Sequence, residues 1–307
     1  MERRLLPISG FAGAGATAYI VCIFIHMQHK YASLSAPLVV KYGGNALPVD
    51  GAPDPLLAEI AALHAAGERI VVVHGGGPEI DRWVELRTIP THRVDGLRVT
   101  DEATLEITEA VLCATINKRL VRACTALGTP AVGISGEDAR TLVARRAFGS
   151  HGEDLGYVGD VVASDSTLVQ ALLDADFLPI VAPLAVSDDG AHAYNVNADL
   201  AAAALAGALR ARAFVMVTNV PRVLADVHDP ASGIARMTYD EARAFAVSGA
   251  CVSGMRPKMR AAIAALTHGA AATYICTATN ATLADALTRD AATVITPMPR
   301  EGEKKER

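Results

Sequence analysis

This chain has few cysteines, no metal motif, no P-loop and no basic patch. Its five cysteines, Cys22, Cys113, Cys124, Cys251 and Cys276, are scattered and never form CxxC. An odd, dispersed set suits buried thiols in a reducing cytosol and argues against a disulfide framework or a zinc site. Nine histidines include no HExxH pair, so no metal centre is readable. No G-x-x-x-x-G-K-[ST] occurs, which excludes the P-loop class. The formal net charge is −5, and basic residues gather only in the tail REGEKKER. A general nucleic-acid binder carries a basic face, so we expect no nucleic-acid partner. The chain also lacks the composition of a disordered protein. Apolar residues make up 51% and charged residues 20% of 307, enough for a substantial core in one large domain or two modest ones.

Residues 1–36 differ from the rest. MERRLLPISGFAGAGATAYIVCIFIHM sets basic residues before an apolar stretch, and SLSA downstream resembles a signal-cleavage site. The stretch is short and glycine-interrupted for a membrane span, so we expect no membrane partner. GAGATA at 13–18 matches the dinucleotide fingerprint, but no clear strand precedes it. No acidic residue between Arg3 and Asp50 is available for a ribose hydroxyl either. We read this segment as a poorly ordered extension, with Met27 as a candidate true start, and residues 299–307 as a charged, solvated tail.

From Pro37 the chain alternates short apolar runs with helical patterns. Strands are expected at 38–42, 69–74, 130–135, 177–186, 213–218, 273–278 and 292–296. Between several of them lie helix-forming stretches such as PDPLLAEIAALHAAG, DLAAAALAGALRA and RAAIAALTHG. Apolar strands alternating with helices imply an α/β fold whose largely parallel sheet is covered on both faces. A hairpin-like insertion is expected at 139–165, where GSHGEDLGYVGDVV breaks the rhythm.

In such a sheet, ligands gather beyond the carboxyl ends of the strands. After the first strand stands KYGGNA, with Lys41 at the strand end and Gly43-Gly44 in the turn. After the second stands HGGGPEI, where three glycines without Cβ atoms precede a helix start, a pairing that suits an anion. YNVNAD at 194–199 runs into an alanine-rich helix, and SGMRPK at 253–258 opens another. Singly each has an ordinary explanation. Gly-Gly makes turns, surface lysines are solvated, and Asn195, Asn197 and Asp199 are the residue types that cap helices. Their joint placement at strand ends favours a site.

In this order VVKYGGNAL, VVVHGGGPEIDRWV, DGLRVTDEATLEITEAVL, NVNADLAAAALA and SGMRPKM resemble the amino-acid kinase family, and within it the acetylglutamate kinase branch, for which GLRVT is the most telling motif. The resemblance spans roughly residues 38–298. It implies a three-layer α/β/α sandwich, with an acyl-substrate half at 37–185 and an ATP half at 186–298. It implies transfer of the γ-phosphoryl group of ATP, carried with Mg2+, to the γ-carboxylate of N-acetyl-L-glutamate in arginine biosynthesis. A carboxylate of pKa about 4.3 is already ionised at neutral pH, so such a site needs no general base. By the same resemblance Lys41 and Lys258 bracket the transferred group and Asp199 holds both lysines. Gly43 and Gly44 serve the phosphoryl oxygens, Gly76, Gly77 and Asn195 contact the acyl substrate, and Arg98 pairs with its α-carboxylate. Thr218, Asn219 and Arg222 lie along the nucleotide. A cytoplasmic homo-oligomer, dimer or hexamer, is implied as well.

Three places depart from the family pattern. TNVPRVL carries Asn219 and Arg222 where relatives have Asp and Gly, and Arg222 would be strained if its position requires positive φ. Otherwise its guanidinium reaches the phosphates. Glu137 stands where relatives often have Lys, and ICTATNATLADAL lacks an Asp-Gly-Arg pattern. These departures leave open a kinase for a related acyl amino acid, such as an aminoadipate derivative, or a weakly active regulatory relative.

Overall fold

A computed structural model of the chain describes residues 36–43, 54–252, 254–277, 283–288 and 291–297. The expected extension, the charged tail and Gly44 lie outside the described residues, apart from Ala36.

The first expected strand, LVVKY, forms β1 (Leu38–Tyr42) and is buried along its whole length. Helix α1 (Pro55–Ala65) follows, started by Asp54, whose carboxylate accepts from the amides of Leu56 at 2.9 Å and Leu57 at 3.1 Å. Next come β2 (Ile70–His74), α2 (Gly77–Leu86), the short β3 (Arg93–Val94) and β4 (Leu97–Arg98), and α3 (Glu102–Glu109). A π-helical segment, Ala110–Ile116, leads from α3 into α4 (Asn117–Ala126). The middle of the chain forms β5 (Ala131–Ser135), β6 (Val143–Phe148), β7 (Asp154–Ala163), α5 (Thr167–Asp174), β8 (Leu178–Ala182), β9 (Leu184–Ser187), β10 (Ala193–Val196) and α6 (Ala198–Ala208). After it come β11 (Ala213–Thr218), β12 (Val223–Leu224), β13 (Gly233–Ile234), β14 (Arg236–Thr238), α7 (Tyr239–Val247), α8 (Arg256–Thr267), β15 (Thr273–Thr277), α9 (Leu283–Thr288) and β16 (Thr293–Thr296).

Among the described residues, eight strands form one sheet in the order β14-β16-β15-β11-β1-β2-β8-β5. Every pairing in it is parallel except β15 with β16. β1 lies near the middle, paired with β2 on one side and β11 on the other. Because side chains alternate along a strand, β1 sends Val39 to one face and Leu38, Val40 and Tyr42 to the other. The first face is covered by the alanine-rich α6 and by α8, whose small side chains let the two helices pack closely. The second is covered by α1, α2, the π segment and α4. This is a three-layer α/β/α sandwich.

One expected strand is two. The run 177–186 splits at Pro183, which has no N–H for a sheet ladder, so β8 stays in the main sheet while β9 leaves it. The expected hairpin at 139–165 is present as antiparallel β6 and β7, and β9 and β10 close it into a small four-stranded barrel. Cys124, Cys251 and Cys276 are buried and Cys113 is partly buried, and all four are free thiols. Burial pushes Cys113 and Cys276 up to about 12, which leaves them inert near neutral pH.

Candidate active site

Because β1, β2, β8 and β11 run parallel, their carboxyl ends emerge along one edge of the sheet. A cavity of about 530 Å³ opens there, within the range of small-molecule sites. Its walls include Lys41, Gly43, Gly76, Gly77, Arg98, Asn195, Asp199, Thr218, Asn219, Arg222 and Lys258. Residues up to 217 positions apart in the chain thus meet at one opening, and Gly44 is the one expected site residue outside the described set.

The polar centre of the cavity is Asp199. Asn197 caps α6 by accepting from the amides of Asp199 at 2.9 Å and Leu200 at 3.2 Å, so for Asn197 the ordinary helix-cap role is the one observed. That cap fixes the first turn, which leaves the Asp199 carboxylate nearly buried beside two lysines. Lys41 Nζ lies 2.9 Å from Oδ1 and Lys258 Nζ 3.8 Å from Oδ2. The Lys41 contact is a close ion pair between two nearly buried side chains. Lys41 stands on β1, interior to the sheet, whereas Lys258 rides on the first turn of α8, which starts at Arg256 and has Pro257 as its second residue.

The two glycine loops are close-packed for different reasons. A Cβ on Gly43 would sit 2.9 Å from the carbonyl oxygen of Val217, so a side chain there would press on the β11 backbone. A Cβ on Gly76 would come within 2.6 Å of Leu112 and Ile116, both in the π segment. The close approach at Gly76 is therefore to the protein itself, and a π turn next to a binding site is a recurrent device for aiming side chains.

His74, at the end of β2, anchors this second loop. Its ring is fully buried, with Nδ1 2.9 Å from the carbonyl oxygen of Gly75 and Nε2 3.4 Å from Asn117 Nδ2. A carbonyl only accepts, so Nδ1 carries the proton and Nε2 accepts from the Asn117 amide. Asn117 also donates to the carbonyl of Ile180 at 2.9 Å, and Gly133 leaves the room its side chain occupies. Burial lowers the His74 pKa to about 4, so the ring is neutral at physiological pH. Nothing in the spacing of the sequence signals the pairing of His74 with Asn117.

Arg98, at the end of β4, is buried and already engaged. It pairs with Asp81 of α2 and donates to the carbonyl oxygen of Gly77 at 3.0 Å. Arg93 takes the same Asp81 carboxylate at 2.8 and 3.0 Å, so one acid serves two arginines. Asn195 of β10 donates through Nδ2 to Thr100 Oγ1 at 3.3 Å. At the other end, the Thr218 hydroxyl donates to the Val220 carbonyl at 3.0 Å and accepts from the Val220 amide at 3.1 Å, tightening the turn before Pro221. Arg222 is not among the described non-glycine residues with positive φ, so the strain anticipated there is absent. Its aliphatic stem lies over Gly233, where an added Cβ would come 3.3 Å from the arginine Cδ. Glu137 does not line the cavity, and burial, with Glu109 nearby, raises its pKa.

The sequence profile of the Amino acid kinase family matches residues 36–277. The chain belongs to the amino acid kinase family. It is 42% identical over 243 residues to the acetylglutamate kinase of Brevibacillus brevis, covering 79% of this chain and 89% of that protein. To the acetylglutamate kinase of Synechococcus sp. it is 39% identical over 239 residues, covering 78% of this chain and 80% of the relative. In structure, this amino acid kinase resembles the N-acetylglutamate synthase of Neisseria gonorrhoeae solved with coenzyme A and N-acetyl-glutamate. The TM-score is 0.71 at 26% identity, over 91% of this chain and 63% of the synthase. The carbamate kinase of Giardia lamblia bound to AMP-PNP shares the fold, with a TM-score of 0.61 at 17% identity over 86% of this chain and 99% of that one.

Proposed function

We propose that this amino acid kinase transfers the γ-phosphoryl group of ATP to the γ-carboxylate of N-acetyl-L-glutamate, releasing ADP and the acyl phosphate. The observation that carries the reading is the buried Asp199 flanked by Lys41 and Lys258 in the wall of the cavity. The similarity to acetylglutamate kinases supports the choice of acyl substrate.

The chemistry needs two anions brought together and the charge on the phosphoryl oxygens stabilised. A γ-carboxylate oxygen forms the new bond to the γ-phosphorus as the bond to the ADP oxygen breaks. No proton moves at neutral pH, because the attacking carboxylate is already ionised. Lys41 and Lys258 take up negative charge from two sides, and Asp199 keeps the two ammonium groups at fixed spacing. The N-terminal half, 37–185, supplies most of the acyl subsite: Gly76 and Gly77 lie along the substrate and Arg98 takes its α-carboxylate, while Asn195, just past the boundary between the halves, bonds it as well. The C-terminal half, 186–298, holds ATP through Thr218, Asn219 and Arg222, with Gly43 and Gly44 at the phosphoryl group. Mg2+ belongs to this reading as a companion of the ATP phosphates. Among the described residues no three His, Cys, Asp or Glu side chains gather as a metal site. A cytoplasmic homo-oligomer is part of the same proposal.

Coupled measurement of ADP release tests it. N-acetyl-L-glutamate should be preferred over N-acetyl-L-aminoadipate and carbamate by at least about tenfold in kcat/KM, since one methylene in a fitted pocket is worth roughly 1–3 kcal/mol. Equal or better turnover of either competitor would replace the substrate assignment.

A further inference from the structure

Thr100 touches both walls of the acyl subsite without lining the cavity itself. It is fully buried, and its hydroxyl lies 3.0 Å from the carbonyl oxygen of Arg98 and 3.3 Å from Asn195 Nδ2. Its backbone is clamped to β7 by two hydrogen bonds. Its amide donates to the carbonyl of Leu155 at 3.0 Å, and its carbonyl accepts from the amide of Tyr157 at 2.7 Å. Between those two stands Gly156, with φ +68° and no room for a Cβ, which would come 2.2 Å from the Thr100 carbonyl oxygen. Two positions along β7, Val158 pairs with Asn195 in register. Thr100 and Asn195 are therefore tied to the same short stretch of β7.

From this geometry we propose that Thr100 is a positioning residue that sets which face of the Asn195 amide meets the acyl substrate. The proposal rests on the acyl-subsite reading above. A hydroxyl has one proton, and here it goes to the Arg98 carbonyl, which only accepts. The hydroxyl oxygen therefore offers only a lone pair to Asn195 and takes its Nδ2 hydrogen. The amide cannot turn over without facing oxygen to oxygen. Asn195 Oδ1 is thereby kept for the ligand, as an acceptor for an N–H group, which an N-acylated amino acid carries on its amide and an O-acylated hydroxy acid lacks. The same hydroxyl holds the main chain leaving Arg98, so the carboxylate-binding and amide-binding sides of the subsite are set together.

The test compares Thr100→Val, which keeps shape and loses the hydroxyl, with Thr100→Ser, which keeps the hydroxyl. Calorimetric titration with N-acetyl-L-glutamate and steady-state kinetics are run on both and on the wild type. Thr100→Val should weaken N-acetyl-L-glutamate binding and raise its KM about tenfold, one oriented hydrogen bond, with KM for ATP unchanged. Thr100→Ser should recover most of that loss. The wild type should also prefer N-acetyl-L-glutamate over 2-acetoxyglutarate, and the preference should collapse in Thr100→Val. In an Asn195→Ala background Thr100→Val should add little, because the two act as one unit. Equal losses in Val and Ser, or a matching rise in KM for ATP, would make the residue structural only and overturn the proposal. If Thr100→Val does not fold, Thr100→Ala against Thr100→Ser makes the same comparison. Failure of the wild type to bind N-acetyl-L-glutamate would instead sink the substrate reading.

Discussion

Replacing Lys41 with methionine separates what the lysine does for the fold from what it does for the reaction. Methionine keeps the unbranched apolar stem, one atom shorter, and removes the charge. The Asp199 carboxylate, with 7% of its side chain exposed, then keeps only Lys258 at 3.8 Å. Removing one partner of a buried pair costs about 3–5 kcal/mol, and the remaining lysine holds this case to about 3 kcal/mol. For a chain of this size that corresponds to a drop in Tm of roughly 5 °C. In catalysis, losing one preorganised cation or donor at developing charge costs about 10²–10³ in kcat. The double variant Lys41→Met, Asp199→Asn removes the stranded carboxylate, so it should recover most of the stability and none of the turnover. Thermal unfolding and coupled ADP release, measured on the same preparations, read the two effects separately. Turnover of Lys41→Met within tenfold of the wild type, or activity returning with stability in the double variant, would refute the assignment of Lys41 to the phosphoryl group.

Arg98→Lys keeps the charge but loses the planar fork, so KM for N-acetyl-L-glutamate should rise about tenfold or more while kcat changes less. A rise in KM for ATP alone would move Arg98 to the other end of the cavity. Arg222→Gly should raise KM for ATP several-fold, with a larger effect at low ionic strength, where an exposed charge is least screened. Tighter ATP binding in that variant would identify the arginine as an obstruction. The buried, neutral His74 titrates near 4 when folded and at about 6.5 when unfolded, so it destabilises the fold progressively as pH falls from about 6.5 towards 4 and costs nothing above that window. His74→Gln should flatten that part of the urea-unfolding profile, and identical pH slopes in the two proteins would count against the buried neutral ring.

The sheet was legible because its strands are apolar runs between helix-forming stretches, and β1 and β11 begin and end where the pattern places them. Lys41, Asp199 and Lys258 were legible as strand-end and helix-start residues, since a parallel sheet collects such positions on one edge. The partners of those residues were not legible. Asp81 sits on the polar side of an amphipathic helix and reads as a solvated acid, yet it bridges Arg93 and Arg98. Thr100 precedes a helix capped by Asp101 and reads as part of a turn, and its contact with Asn195 spans 95 residues. The π segment reads as a continuation of the preceding α-helix in AVLCATI, and its local sequence carries no sign of the wider turn. Contacts of this kind depend on where distant strands end relative to one another, a quantity local periodicity does not contain.

The charges in and beside the cavity repeat one arrangement at two places. Asp199 is shared by Lys41 and Lys258, and Asp81 by Arg98 and Arg93. In each case one carboxylate stands between two cations, which leaves a net charge of +1 and cations that are fixed in place before any ligand arrives. A free lysine or arginine at such a position pays side-chain entropy on binding an anion, whereas one already tethered to an acid has lost that freedom during folding. The difference between the two clusters follows their proposed tasks. The Asp199 cluster is buried and uses compact ammonium groups, which suit charge that moves among phosphoryl oxygens during transfer. The Asp81 cluster, in which Arg98 is buried while Asp81 and Arg93 are half-exposed, uses guanidinium forks, which suit a carboxylate that stays put. Lysine-to-arginine exchange at the first cluster should therefore lower kcat, and arginine-to-lysine exchange at the second should raise KM for the acyl substrate.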